Sequence, residues 1–237
     1  MKEEYYYLGL MVFTILYPLS QSFEHRIKYY KKWPALWPAT LFTALVYIIW
    51  DHWFTVQGVW WFNERYILGV YLFDLPVEEI SFFFIVPFAC IFIYEVLIYF
   101  FPKDWLQPLG KPMVYILVPA LLILGLISWD KLYTAFNFIF SSLILLIHFL
   151  IFKDKLLGRF LFGYLITLIP FMLVNGVLTG SWLDEPIVGY NNEENLGIRL
   201  GTVPIEDSVY LLGMLLLNIS IYEKLLNRKT FDRKPGL

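Results

Sequence analysis

The chain has 237 residues, of which 59% are hydrophobic, 20% aromatic and only 16% charged, a balance that excludes a soluble domain with a wet surface and marks an integral membrane protein. Eighteen basic residues against twenty acidic ones supply no clustered basic face, so nucleic acid is excluded as a partner. Cys90, the single cysteine, lies in an apolar run and leaves neither a disulfide framework nor a thiolate metal site within one chain.

Seven apolar runs approach the roughly 20 residues needed to cross about 30 Å of hydrocarbon. They cover 5–22, 35–50, 77–101, 112–128, 131–151, 158–179 and 204–223, and predict an all-α, polytopic fold with seven transmembrane helices. The first run follows two glutamates and one lysine with no small-residue cleavage site, so no removable signal peptide is expected. The second is short, but Trp33, Trp37, Trp50 and Trp53 stand where interfacial aromatics would extend it.

Between the second and third runs, "WDHWFTVQGVWWFNERYILG" (50–69) is dense with aromatics. An interfacial belt is one reading. The other is a mouth for a long apolar ligand, built from Trp60, Trp61, Phe62 and Asn63, with Asn191 as the counterpart of Asn63. Asp51, Asn63, Arg65 and Arg199 are candidates to order nearby carboxylates, with surface solvation the competing reading.

The third run opens "LPVEEISFFFIVP" (75–87). A charge inside the hydrocarbon costs about 2.5 to 3.5 kcal/mol even on the lenient insertion scale, so adjacent carboxylates at the start of a span mark a functional site. The seventh run opens the same way. "LPVEEISFFFIVPFACIFIYE" (75–95) and "VPIEDSVYLLGMLLLNISIYE" (203–223) both read proline, one residue, two acids, an apolar span and Tyr-Glu, at a constant offset of 128. Leu68-Gly69 meets Leu196-Gly197 and Asn63 meets Asn191 at that offset.

Such a repeat is read before the fold. Spans one to three match five to seven, which predicts repeats at 1–101 and 130–237, the second with a cytoplasmic tail, joined by a linker helix within 102–129. Equivalent spans are four apart, so both halves run the same way and are expected about a pseudo-twofold axis along the membrane normal. Lys and Arg divide fourteen to four between alternate sides, the larger set including Lys224, Arg228, Lys229, Arg233 and Lys234. The C-terminus is therefore expected in the cytoplasm and the N-terminus outside, in the cell's inner membrane.

Pro76 and Pro204 suit the first helical turn, where a missing amide hydrogen costs nothing, and acids there complement the helix dipole. That is a structural account of one copy; two copies in register, both leading into lipid, point to chemistry. Neighbouring helical residues point about 100° apart, so the two acids of a pair cannot face one spot. Three and four residues on, Phe82 and Phe83 lie over the first pair and Tyr210 over the second. A protonated acid beside aromatic faces is a proton donor next to a cation stabiliser.

His148, in the fifth run, reads as a proton relay or, more simply, a packing residue. The acidic stretch 184–195 lacks the spacing of a calcium loop, and no metal is expected. No dinucleotide, phosphate-loop or nucleophile-elbow motif occurs, and no cofactor is expected.

"WWFNERYILG", "LPVEEISFFFIVP", "FIYE", "GTVPIED" and "YLLGMLLLNISIYE" together resemble the membrane lycopene cyclases of the heterodimer, non-flavin type, with both halves fused in one chain. The resemblance spans essentially the whole chain. It implies carotenoid biosynthesis: a lycopene beta-cyclase, an isomerase that closes lycopene through gamma-carotene to beta-carotene, embedded in the bilayer and in reach of other carotenoid enzymes. It maps Glu78 and Glu79 onto the first acidic pair and Glu206 and Asp207 onto the second. The donor is expected at Glu78 or Glu206, with Glu79 and Asp207 as partner or base. The second copy carries Val209-Tyr210 where the first has Phe82-Phe83, so the sites are not expected to be equivalent. Competing readings are a cyclase making ε-rings or acting on a fifty-carbon carotenoid, and a parallel-repeat carrier; a retinal pigment is disfavoured because the last span has no lysine before Lys224.

Overall fold

The computed structural model describes residues 2–226; Arg228, Lys229, Arg233 and Lys234 of the basic tail lie outside them. Among the described residues, seven α-helices follow the predicted runs: α1 (Tyr6–Gln21), α2 (Trp33–Val56), α3 (Val77–Phe100), α4 (Gln107–Ile127), α5 (Leu132–Phe152), α6 (Leu157–Leu178) and α7 (Glu206–Leu226). The second grows most, to 24 residues, because its flanking tryptophans join the helix and Pro34 falls in the first turn, where a donor is not needed. Among the described residues, α2 to α7 are long and apolar enough to cross a membrane. With 16 residues, α1 is about 24 Å long and falls short of the roughly 30 Å core.

The centre is made by α3 and α7, the most buried of the long helices, and α3 is apolar on every side beyond its first turn, as a buried helix should be. On one flank α1 and α2 pack against α3; on the other α5 and α6 pack against α7. The halves interlock, because α2 also packs on α7 and α6 on α3. The least buried long helix, α4, lies against α5 and α6.

Three small ladders close one end of the bundle. β1 (Trp60–Phe62) pairs with β4 (Val188–Tyr190), β2 (Tyr71–Leu72) with β3 (Leu75–Pro76), and β5 (Arg199–Leu200) with β6 (Val203–Pro204). The two hairpins have one register: Tyr71 faces Pro76 and Arg199 faces Pro204. Before each hairpin the chain turns at a left-handed glycine, Gly69 at φ 71° and Gly197 at φ 70°, where a side chain would be strained. In the third ladder the antiparallel strands are themselves repeat equivalents, with Trp61 opposite Gly189. The pseudo-twofold axis therefore passes between those two residues.

Pro76 and Pro204 are not in the first helical turn; they end β3 and β6, with Pro76 extended at φ −57° and ψ 144°. A residue without an amide hydrogen fits the end of an edge strand equally well.

Candidate active site

Each hairpin delivers its acidic pair to the first turn of a central helix, and the two acids of a pair take different surroundings. Glu78 Oε1 accepts the backbone N–H of Leu68 at 2.8 Å, and Glu206 Oε1 that of Leu196 at 2.7 Å. Glu206 also accepts the Thr134 hydroxyl at 2.7 Å. Both carboxylates are buried and fasten the loop before the hairpin to the helix. Their other oxygens, Oε2 in each case, have no hydrogen-bond partner.

The second acids, Glu79 and Asp207, turn the other way, into a shared cavity of about 40 Å³ between the halves. Asp51, Tyr133, Asn175 and Tyr190 add polar groups to its wall, and Trp60, Phe62, Phe82, Phe171 and Tyr210 add rings. Tyr7 donates to Glu79 at 2.5 Å, as Tyr133 does to Asp207. These tyrosines come from corresponding places, on α1 and α5.

Beyond that the halves diverge. Asp207 also accepts Asn175 Nδ2 at 2.9 Å and the Tyr190 hydroxyl at 3.2 Å. Three donors on one carboxyl is the pattern of an anion, which can only accept. Burial, followed by the Asp207 charge, pushes the Tyr190 hydroxyl well above the ordinary tyrosine range, so it stays a donor. On the other side, the place of Asn175 on α6 is taken by Asp51 on α2: Thr55 and Thr179 each bond back to these residues' carbonyls, at 2.9 and 2.8 Å. Asp51 brings a carboxyl where the second half has an amide, and its Oδ2 has no hydrogen-bond partner. Among the described residues, no Lys, Arg or His forms an ion pair with Asp51, Glu79 or Asp207.

Of the residues expected at the site, Trp60, Phe62, Glu79, Phe82, Asp207 and Tyr210 meet at the cavity. Phe82 and Tyr210, 128 apart, are the true counterparts, rather than the pairing of Phe82-Phe83 with Val209-Tyr210. Phe83 sits behind Phe82, buried, with ring centroids 5.5 Å apart. Trp61 is half exposed and covers Gly189.

Asn63 and Asn191 are turn formers outside the wall. Asn63 Oδ1 takes the Arg65 N–H at 3.1 Å and Asn191 Oδ1 the Glu193 N–H at 3.0 Å. Arg65 is engaged by Glu3, and Arg199 by Thr202 and Asn192, so neither orders the acids. His148 bonds Ser220 at 2.6 Å, away from the cavity. Tyr7, Tyr133, Asn175, Tyr190 and Phe171 escaped the sequence reading; their only signal was position within the repeat, at an offset of 126 between α1 and α5, 124 between α2 and α6, and 128 between Phe62 and Tyr190.

Residues 4–97 and 130–225 each match the family model described as Lycopene cyclase. No curated protein and no solved structure matches the chain.

Proposed function

This chain belongs to the lycopene cyclase family, and from that premise we propose that it is a beta-cyclase, closing the ends of lycopene to β-rings by way of gamma-carotene. Membership makes it an enzyme that cyclises carotenoids. The observation that supports the finer reading is the meeting of Glu79 and Asp207, from equivalent helix starts, at one cavity walled by aromatic rings.

In this reading Glu79, which shares the cavity with Asp51, holds the proton, and Asp207, bound by three donors, is the anion. Glu79 gives its proton to the terminal double bond of the substrate, leaving a tertiary carbocation. The neighbouring alkene attacks that centre, one carbon–carbon bond forms, and the charge moves onto the new ring. A carboxylate, Asp207 in this assignment, removes a ring proton to form the ring double bond. One proton enters and one leaves, no electron is gained or lost, and product is an isomer of substrate. Phe82, Tyr210 and Trp60 face the cation, each ring contributing about 0.5 to 2 kcal/mol once water is excluded.

Glu78 and Glu206 become positioning residues in this assignment. A cavity of about 40 Å³ holds a water or two, so the aromatic walls part to admit a substrate end. Which ring carbon loses its proton sets the ring type, and an ε-ring follows if the base reaches a different carbon. The charge asymmetry of the loops orients the cavity to the outer side of the cell membrane, with the C-terminus in the cytoplasm.

The test is chromatography of pigments from a bacterial host that accumulates lycopene, with and without the gene, repeated in deuterium oxide. Cyclic product carrying one deuterium per ring is expected. Unchanged lycopene, with the protein demonstrated in the membrane, would overturn the assignment.

A further inference from the structure

A second cavity of about 530 Å³ lies between α1, α3 and α6, and its wall is almost wholly apolar. Phe171 lines both this groove and the acid cavity. Toward the opposite end of the bundle the groove shares Tyr17, Phe92 and Ile93 with a third cavity of about 380 Å³, which runs on to Phe100 and Arg26. Along α3 the three cavities follow one another from Glu79 to Phe100, about 32 Å at 1.5 Å per residue. That is the thickness of the hydrocarbon core, and the length scale of a rigid linear polyene.

In the other half the corresponding space is taken by rings, through two substitutions in the repeat. Thr14 on α1, which lines the groove, corresponds to Phe140 on α5. Val174 on α6, which also lines it, corresponds to Trp50 on α2. The rings of Trp50 and Phe140 meet at 5.4 Å and Tyr47 closes on Phe140 at 5.9 Å, filling the space that threonine and valine leave open.

We propose that the α1–α3–α6 groove holds the linear carotenoid lengthwise along α3, with Phe171 as the partition through which one end reaches Glu79 and Asp207. The proposal rests on the cyclase reading, which fixes the reacting end. Open to the bilayer and apolar, the groove takes its ligand sideways from lipid. Because one groove serves both acids, the two ends of a substrate are presented in turn, and the one-ring product leaves and returns reversed.

The test copies the closed half into the open one. Val174→Trp and Thr14→Phe, on different helices, are each expected to lower kcat/KM for lycopene by roughly tenfold or more, as intrusions into an apolar pocket do; Ala89→Leu is a smaller intrusion from α3 that keeps the test readable if the larger rings impair folding. Binding is read apart from turnover by circular dichroism of the visible band: achiral lycopene held by Glu79→Gln protein is expected to show an induced signal, lost when Val174→Trp or Ala89→Leu is added. Unlabelled gamma-carotene supplied during turnover of labelled lycopene is expected to dilute the label in beta-carotene.

Wild-type kcat/KM in all the groove variants, or an induced signal that survives them, would overturn the proposal and leave the groove to a lipid chain. Undiluted label would overturn the single-groove arrangement. Failure of the cyclase reading is distinct, because the wild-type protein would then convert no lycopene at all.

Discussion

Trp61 stands directly opposite Gly189 in the β1–β4 ladder, and the two are each other's counterparts in the repeat. The Trp61 ring lies over Gly189, in the space a side chain there would take. A Cβ on Gly189 would lie 2.2 Å from Trp61 Cε2. With the ring in this place, position 189 has room only for glycine.

Gly189→Ala is expected to destabilise the protein by about 1 to 3 kcal/mol, the usual cost of overpacking. Adding Trp61→Ala should recover most of the loss, a coupling readable from thermal midpoints in detergent. Additive losses would mean that the cost of Gly189→Ala does not come from Trp61.

Glu79→Gln and Asp207→Asn are each expected to lower turnover by about 10²- to 10⁴-fold, the range for loss of a positioned acid or base. Both leave a folded membrane protein. Glu78→Gln and Glu206→Gln keep an amide oxygen that can still accept the Leu68 or Leu196 N–H, and should cost much less. Pigment conversion normalised to protein in the membrane separates the pairs; the reverse ranking would return the donor to Glu78 or Glu206.

Asp51→Asn makes the first half resemble the second, where Asn175 bonds Asp207 at 2.9 Å. If Glu79 needs a neighbouring acid to hold its proton, turnover should fall by roughly 10²-fold. Asn175→Asp, which puts a second acid beside Asp207, should also lower it by removing a donor from the anion. Unchanged rates in Asp51→Asn would confine the chemistry to the two helix-start acids.

At the far end of the bundle the halves exchange bonds: Tyr94 donates to Glu223 at 3.0 Å and Tyr222 to Glu95 at 2.7 Å, with Lys32 also on Glu95. Tyr94→Phe and Tyr222→Phe should each lower stability by about 1.5 to 3 kcal/mol, the range for a hydrogen bond to a charged group. The folded fraction should convert pigment at the wild-type rate. A fall in that rate would tie this cluster to the chemistry.

The fold was legible because lipid imposes simple rules. Apolar runs of helical length marked all seven described helices, and the offset of 128 anticipated the matching hairpins, down to the register they share at Pro76 and Pro204. The acidic pairs were legible for the same reason, since a carboxylate at a membrane helix start is costly.

Which member of each pair faces the cavity was not legible. Helical geometry requires Glu78 and Glu79 to diverge by about 100°, but it does not say which one the loop will claim. The Leu68 and Leu196 amides decide that, through bonds made only in the folded hairpins. Nor did sequence distance reveal Tyr7, Tyr133, Asn175 or Tyr190, because the contacts joining α1 to α3 and α5, α6 and β4 to α7 are made only when the helices pack. The sequence by itself determined the bilayer, the helices and the twofold repeat, which follow from solvation and periodicity. The tertiary structure decided the inequality of the halves, where Asp51 stands against Asn175, and Thr14 and Val174 leave open the groove that Phe140 and Trp50 fill.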